Sequence, residues 1–426
     1  MATEKLYYKD PYQTEFDAQV LSCESAGDRI LIRLDRSCFY PEGGGQPADI
    51  GTLGGLTVTD VHEKDGEILH TCIFPAVCDP NAAAGQDSAH DPNAACGLNA
   101  ADGSSADEST SGSVRLPLPG DRIHGRIDWA VRFDHMQQHS GEHIVSGMLC
   151  SRFHCNNVGF HMGSETVTID YDTVISEEEL REVELAANRY LWENHAFVEL
   201  WPDAEELEKL EYRSKKALSG AVRIAVFPGA DCCACCGTHV KQSGEVGLVK
   251  FLSVQKFRDG VRIEMLSGGR AFRYLSSVYE QNRLCSQASS SKPLETGEAV
   301  SQMKQELIRL KGRIVSLEND VFNAAAASLE GADSPVYFTG ELESDALRKL
   351  CVRIASRARG LVRVFAGSGT AYKYALICEG ADLRNYVKEL NTALCGRGGG
   401  KDGFAQGSVN AGEAEIRAFL ETHSMQ

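Results

Sequence analysis

The chain has 426 residues, of which 42% are hydrophobic and 24% charged, and a formal charge of −17. That length exceeds one ordinary core, so two or three domains are expected, and no run of about 18 apolar residues argues for a membrane span. The acid excess opposes a polyanionic partner, because phosphate binding needs Lys and Arg.

The charge is unevenly spread. Ser334 to Gln426 carry 12 Lys+Arg and 10 Asp+Glu, a local +2, which leaves −19 on the preceding residues. A polyanion would therefore be held by local patches against an unfavourable overall field. The 15 cysteines are dispersed, and the first ten residues lack the apolar segment of a secretory signal. Reduced thiols and a cytoplasmic location are the expectation.

An α+β multidomain chain is expected. A small β-barrel-like domain (1–128) opens it, with Arg29–Asp35, Leu56–Val61 and Glu67–Phe74 as alternating strands. Between the first two lies Ser37-Cys-Phe-Tyr-Pro-Glu-Gly-Gly-Gly-Gln46, where three glycines let backbone approach a ligand closely; a plain hairpin loop is the alternative. Residues 77–114 repeat Asp-Pro-Asn-Ala-Ala and otherwise hold Ala, Ser, Asp, Gly and Asn. Too few large apolar residues are present to offset ordering entropy, so a disordered insertion is expected.

A second domain (129–268) follows a strand at Arg122–Asp128. Its first helix, about Phe133–Arg152, has an apolar face of Met136, Ile144, Val145, Met148 and Leu149 and carries His139 and His143 four apart, on neighbouring turns. Val167–Asp170 reads as a strand, and Ser176 with Glu179 as the capping box of an acidic helix. Val222–Phe227 is a buried-type strand delivering Asp-Cys-Cys-Ala-Cys-Cys-Gly-Thr-His-Val240, in which Gly237 and Thr238 favour a turn over a helix. Further strands are expected at Leu248–Phe251 and Val261–Met265.

From 269 to 333 the pattern is helical. Val300, Met303, Leu307, Leu310, Ile314, Leu317, Val321 and Ala324 step by three and four, a coiled-coil seam to be covered by the preceding helix or another subunit. The last domain (334–426) alternates strands at Leu361–Phe365 and Tyr374–Cys378 with helices near Ser344–Arg357 and Asp382–Leu394, a small α/β unit. It ends in Gly396-Arg-Gly-Gly-Gly-Lys-Asp-Gly-Phe-Ala-Gln-Gly407, read as a loop presenting N–H groups with Arg397 and Lys401 to phosphate.

His139 and His143, joined to Cys235 and His239, make a nitrogen and sulfur set suited to one zinc ion. Cys232, Cys233, Cys236 and His161 are alternative or spare donors. Asp134-His135-Met136 is a near miss to the Asp-His-His of metal phosphoesterases, without a second acidic cluster.

His139-Ser-Gly-Glu-His143 with Cys235-Cys-Gly-Thr-His239 resembles the HxxxH and CxxxH zinc motifs of the alanyl-tRNA synthetase editing domain and of the free-standing alanyl-tRNA editing (AlaX) family in its long form. Phe39 to Gln46 is similar to the family's glycine motif, and Gly260-Val-Arg-Ile-Glu264 with Gly268 to its closing strand. The final glycine segment with Gln406 resembles the synthetase's DHH-associated C-terminal domain. Ser37-Cys38 stand where the family often has Thr-Pro, and Cys236 where it usually has glycine. The resemblance implies hydrolysis, in trans, of seryl-tRNA(Ala) and of glycyl-tRNA(Ala). It implies zinc on His139, His143, Cys235 and His239, an amino-acid pocket at Ser37, Gly43, Gly44, Gly45 and Gln46, and tRNA(Ala) contacts at Arg397, Gly398, Gly399, Gly400, Lys401 and Gln406. A homodimer through the C-terminal part is a further expectation. Editing of mischarged tRNA(Thr) and non-catalytic tRNA binding with structural zinc stay open as alternatives.

Overall fold

Strict alternation of apolar residues builds the first layer. In the computed structural model, which describes residues 2–75, 115–214, 221–401 and 403–423, the expected insertion at 77–114 lies outside the described residues. Strands β1 (Glu15–Ala26), β2 (Arg29–Leu34), β3 (Gly51–Leu53), β4 (Leu56–Lys64), β5 (Glu67–Ile73) and β6 (Arg122–Ile127) close into a barrel in the order β1-β2-β5-β4-β3-β6. Ile30, Ile32 and Leu34 point inward at every second position and meet Val58, Val61, Ile68 and Cys72 in one core.

The barrel chain runs into helix α1 (Trp129–Phe153), whose N-cap Asp128 accepts a hydrogen bond from the Val131 N–H. The helix is covered on most sides: Met136, Ile144, Val145 and Leu149 pack with Val167, Ile169, Ile263 and Met265. Those partners lie on β8 (Val167–Tyr171) and β13 (Gly260–Ser267), the inner strands of an antiparallel sheet with β7 (Asn157–Met162) and β12 (Val249–Phe257) at its edges, ordered β12-β13-β8-β7. Helix α2 (Glu177–Glu193) begins at Ser176 with the capping box expected for Glu179. Beyond it, β9 (Val198–Leu200), β10 (Ile224–Phe227) and β11 (Asp231–Ala234) form a small antiparallel sheet that ends in the cysteine-rich turn.

The described chain divides into two compact units, Met1–Gln281 and Asn282–Gln426, with helix α3 (Gly268–Ser289) running across the division. In the second, helix α4 (Thr296–Ser328) is followed by β14 (Val336–Thr339), α5 (Ser344–Ala355), β15 (Val362–Ser368), β16 (Ala371–Ile377), α6 (Arg384–Ala393), β17 (Arg397–Lys401), β18 (Phe404–Val409) and α7 (Glu413–Thr422). The sheet order is β14-β15-β16-β18-β17. Helix α4 is anchored by Phe322, Ala325 and Ala326 against Leu347, Leu350 and Ile354. Its heptad positions Val300, Met303, Leu307, Leu310, Ile314, Leu317 and Val321 are all exposed. The segment Gly396–Gly407, expected as a loop, is instead a β-hairpin whose glycine strand is the sheet edge. Among the described residues, no helix is long and apolar enough to cross a membrane.

One ion pair fixes the barrel to α1. The fully buried Arg132 guanidinium donates from Nε to both carboxylate oxygens of Asp49 at 3.0 Å, from Nη1 to Pro11 O at 2.8 Å and from Nη2 to Cys38 O at 2.6 Å. Asp49 Oδ2 in turn accepts from the Tyr40 N–H at 2.6 Å. Every partner lies at the base of the triglycine loop or in the segment before the barrel. Removing the carboxylate charge strands a buried cation, so Asp49→Asn is expected to cost about 3–5 kcal/mol. Urea unfolding at neutral pH measures it; a midpoint equal to wild type contradicts the assignment.

Candidate metal centre

Helix α1 and the turn after β11 meet so that ligand atoms of His139, His143, Cys235 and His239 all lie within 4.8 Å of one another. The i, i+4 spacing puts two imidazoles on one helical face, and the three-residue gap of Cys235-Cys-Gly-Thr-His239 folds a thiol and an imidazole back toward them. Ring centroids are 5.1 Å apart for His139 and His143, 4.7 Å for His139 and His239, and 4.8 Å for His143 and His239. Cys235 Sγ lies 3.4 Å from His139 Nε2 and accepts the Gly237 N–H at 3.3 Å.

Each imidazole is held from behind. His139 Nδ1 donates to Gln46 Oε1 at 2.8 Å, His143 Nδ1 to Asp231 Oδ2 at 2.8 Å, and His239 Nδ1 to Ser140 Oγ at 3.2 Å. With Nδ1 spent in all three, Nε2 is the nitrogen turned to the common point, the arrangement by which metal-binding histidines have tautomer and ring orientation set. His239 Nε2 is buried and has no hydrogen-bond partner, a cost that a metal bond there would remove. Neutral imidazoles and one thiolate are a donor set that fits zinc.

The electrostatics favour the Cys235 thiolate and a neutral His239, but a protonated His143, whose proton a bound metal would displace. Burial opposes the Cys235 thiolate, but the three imidazoles around it outweigh burial and hold the thiol well below its ordinary range. Burial, working against the Cys235 charge, pushes His239 down to about 3. For His143 burial is overcome by the thiolate and Asp231, which raise it to about 10. Burial likewise fails to raise Asp231, because His143 and Arg213 keep it below the usual carboxylate range. Arg213 reaches Asp231 Oδ1 from Nε at 2.7 Å and Oδ2 from Nη2 at 2.9 Å.

Other cysteines fall into place around this set. Cys233 shares a second donor group with His143 and Asp231, but the Asp231 oxygens already accept from Arg213 and His143 and so make a poorer ligand. Cys232 is half-buried on β11 and Cys236 is exposed. His161 is exposed on β7 and lies outside both groups. Asp134 is tied to Arg270 Nε at 2.8 Å and takes no part.

Close approach explains two glycines. A Cβ on Gly237 would sit 2.0 Å from His139 Cε1 and 2.9 Å from Gln46 Oε1. Gly45 has φ of +86°, and a Cβ there would lie 2.5 Å from Phe160 Cδ1, on the ring that stacks over His139 at 5.5 Å. Gly44, also at positive φ, and Gly43, which bridges to Gln46, complete a loop tied to the cluster through Gln46.

The threonyl and alanyl tRNA synthetase second additional domain family matches residues 222–264, which run from β10 through the cysteine turn into β13. The alanyl-tRNA editing protein AlaX-L of Pyrococcus horikoshii is 26% identical over 97% of this chain and 96% of its own length. This chain is a homologue of the alanyl-tRNA editing proteins. The editing protein Aarsd1-B of Xenopus laevis is 25% identical over 97% of this chain and 96% of its own length. The alanine–tRNA ligase of Archaeoglobus fulgidus is 30% identical over 96% of this chain, which spans 42% of that ligase.

The pocket residues expected from the editing-protein resemblance are otherwise engaged. Gln46 is fully buried; besides His139, its Oε1 accepts the Thr238 N–H at 3.1 Å and its Nε2 donates to Thr238 Oγ1 at 2.9 Å. Ser37 is buried inside the barrel. His70 Nδ1 donates to Ile32 O at 3.1 Å, which leaves Nε2 to accept the Ser37 hydroxyl at 2.8 Å, and Ser37 Oγ accepts the Phe39 N–H. Their side chains thus brace protein, leaving the backbone of Gly43 to Gly45 as the exposed face of the motif.

In the second unit Arg397, Gly398, Gly399, Gly400 and Lys401 are exposed along β17, while Gln406 on β18 donates to Ser344 O at 2.7 Å. A cleft of about 660 Å³ is lined by Ser344, Lys373, Arg397 and Gln406, and another of about 360 Å³ by Arg384, Lys388, Asn391 and Gly399. Part of the glycine content is packing: a Cβ on Gly398 would lie 2.4 Å from Tyr374 Oη, whereas one on Gly399 would meet nothing.

Two tests follow from this geometry. Asp231→Asn should lower zinc affinity 10- to 100-fold in competition with a chelator, because His143 loses its charged acceptor; unchanged affinity would separate Asp231 from the centre. Burial lowers His70 to about 4 from 6.5. Below pH 6.5 the unfolded chain takes up a proton that the folded chain refuses, so stability declines from pH 6.5 to about 4 by roughly 3 kcal/mol in total. Urea midpoints at pH 7 and pH 5 should diverge less in His70→Gln than in wild type.

Proposed function

We propose that this chain is an aminoacyl-tRNA deacylase that removes serine, and glycine, wrongly attached to tRNA for alanine, acting in trans and depending on zinc held by His139, His143, Cys235 and His239. The observation carrying this reading is the convergence of three Nδ1-anchored imidazoles and a thiolate beside the exposed triglycine backbone, in a homologue of alanyl-tRNA editing proteins. Zinc held by these four residues would supply Lewis acidity toward a substrate or water oxygen.

The chain's own residues do the rest. Gln46 links His139 to Thr238, so the loop that meets substrate and the turn that carries Cys235 move as one body. Gly43 to Gly45 let an acylated ribose approach with no side chain in the way. Specificity for serine over alanine needs polar groups that alanine would leave unpaired. Gly43 N–H and C=O are paired with Gln46 and Gly45 C=O accepts the Met162 N–H, so the Gly44 N–H and C=O and the Gly45 N–H are the loop's candidates for that role.

Transfer RNA is proposed to be gripped by the last domain (334–426), whose formal charge is +2 against −19 for the residues before Ser334. Arg397 and Lys401 flank the glycine edge, and Lys373, Arg384 and Lys388 line the clefts on either side. The exposed heptad positions of α4 are proposed to be covered by a second copy of the chain.

Deacylation of seryl-, glycyl- and alanyl-tRNA(Ala), with mischarged tRNA(Thr) as a control, tests the reading. Wild type should clear seryl-tRNA(Ala), and His139→Ala should lose zinc and at least 100-fold in rate. The four-donor set is also that of a closed structural zinc site, so full zinc and tight tRNA binding without turnover on any substrate would establish the non-catalytic alternative.

A further inference from the structure

Cys235 is the half-buried member of its donor set, whereas His139, His143 and His239 are buried. The side of the centre nearest solvent is therefore that of Cys235 and its exposed neighbour Cys236. A row of aromatic rings leads outward from the base of the triglycine loop: Tyr40 to Tyr7 at 5.4 Å, Tyr7 to Tyr8 at 4.7 Å, and Tyr8 to Trp201 at 5.7 Å. Tyr40 and Tyr7 are buried, Tyr8 is half-buried, and Trp201 is 51% exposed.

Trp201 is held in place by the same groups that hold the metal turn. Its indole N–H donates to Glu199 Oε1 at 2.7 Å, and Arg223 Nε donates to Glu199 Oε2 at 2.7 Å. Arg223 Nη1 reaches Cys235 O at 3.0 Å and Gly237 O at 2.8 Å, and its guanidinium lies 5.2 Å from the Tyr8 ring. Tyr8 Oη donates to Cys236 O at 3.1 Å. With its N–H spent on Glu199 and Tyr8 packed against it at 75°, Trp201 keeps a half-exposed, immobilised indole beside the metal turn.

We propose that Trp201, backed by Tyr8, is a stacking platform for a base of the single-stranded 3′ end of the RNA substrate, which positions the acyl ester at the centre. The proposal rests on the deacylase reading above. A nucleic-acid base is the occupant that fits, because this part of the chain is strongly acidic and repels phosphate, while stacking needs no cation and every base has a π-face. An aromatic face beside a site that acts on a ribose ester lies within a nucleotide or two of that ester. Trp201 is thus a positioning residue.

The zinc-loaded full chain is assayed on seryl-tRNA(Ala) as wild type, Trp201→Ala and Trp201→Phe, and titrated with the trinucleotide CCA while tryptophan emission is followed. Trp201→Ala should raise KM about tenfold, the loss of one stacked base, with kcat and zinc content within twofold of wild type. Trp201→Phe, which keeps a ring, should stay within about threefold in KM. CCA should quench wild-type emission, and the quench should vanish in Trp201→Phe although Trp129 and Trp192 remain. Unchanged KM in Trp201→Ala, or a quench that survives in Trp201→Phe, overturns the proposal. Should wild type hydrolyse no substrate, the deacylase reading fails, and the CCA titration decides the platform by itself: a Trp201-dependent quench upholds it and no quench overturns it.

Discussion

The buried pair of Arg132 and Asp49 is the constraint on which the centre depends. Arg132 lies in α1 two turns before His139, and its guanidinium reaches Asp49, Cys38 O and Pro11 O, all on the barrel side. Desolvating two charges is expensive, and an apolar pair of equal volume would often be as stable. What the ion pair adds is direction. A planar fork with several committed donors permits one placement of the helix against the loop, whereas apolar packing tolerates small slides. Gln46, three residues after Gly43, can reach His139 only in that placement.

The same logic runs through the ligands. Three different parts of the chain hold the three imidazoles: Gln46 from the barrel loop, Asp231 from β11, and Ser140 from α1 itself. Ser140 also accepts the Val240 N–H, so the helix grips the turn at the residue beyond the last ligand. Half-buried Arg213 pairs with buried Asp231, which lets a carboxylate stand behind His143 without remaining uncompensated. Metal ligands fixed in this way have little rotamer freedom left to lose on binding.

Legibility from sequence followed the range of the interaction. The HxxxH pair was readable because helical periodicity alone puts i and i+4 on one face, and the strands at Arg29–Leu34 and Leu56–Lys64 because alternation is local. The capping box at Ser176 was readable for the same reason. Asp231 and Arg213 were not, since an Asp before cysteines and an Arg at the end of an acidic stretch carry no periodic or spacing signal. Gln46 was noticed for its place in a motif, but its partner His139 is 93 residues away, and nothing short-range says which way its amide turns. Strand β1 had the signal, with Phe16, Ala18 and Val20 buried at period two, yet its polar second half blurs the pattern. Strand β17 had none, because glycine disfavours strands and only pairing with β18 makes one.

The charge that first spoke against a nucleic-acid partner now bears on how such a partner would be recognised. Residues before Ser334 carry −19, so contacts near the centre that relied on phosphate would work against the field of their own surroundings. The side chains and backbone actually presented there, glycine loop and half-exposed indole, recognise by shape, hydrogen bonding and stacking, none of which needs net positive charge. Under the proposed function, electrostatic capture would be left to residues 334–426, net +2, where lysine and arginine line the clefts beside β17. Divided in this way, the work would separate affinity from chemistry: salt would weaken a grip on the phosphate backbone, while the proposed stacking and hydrogen bonding beside the metal turn would be largely indifferent to it.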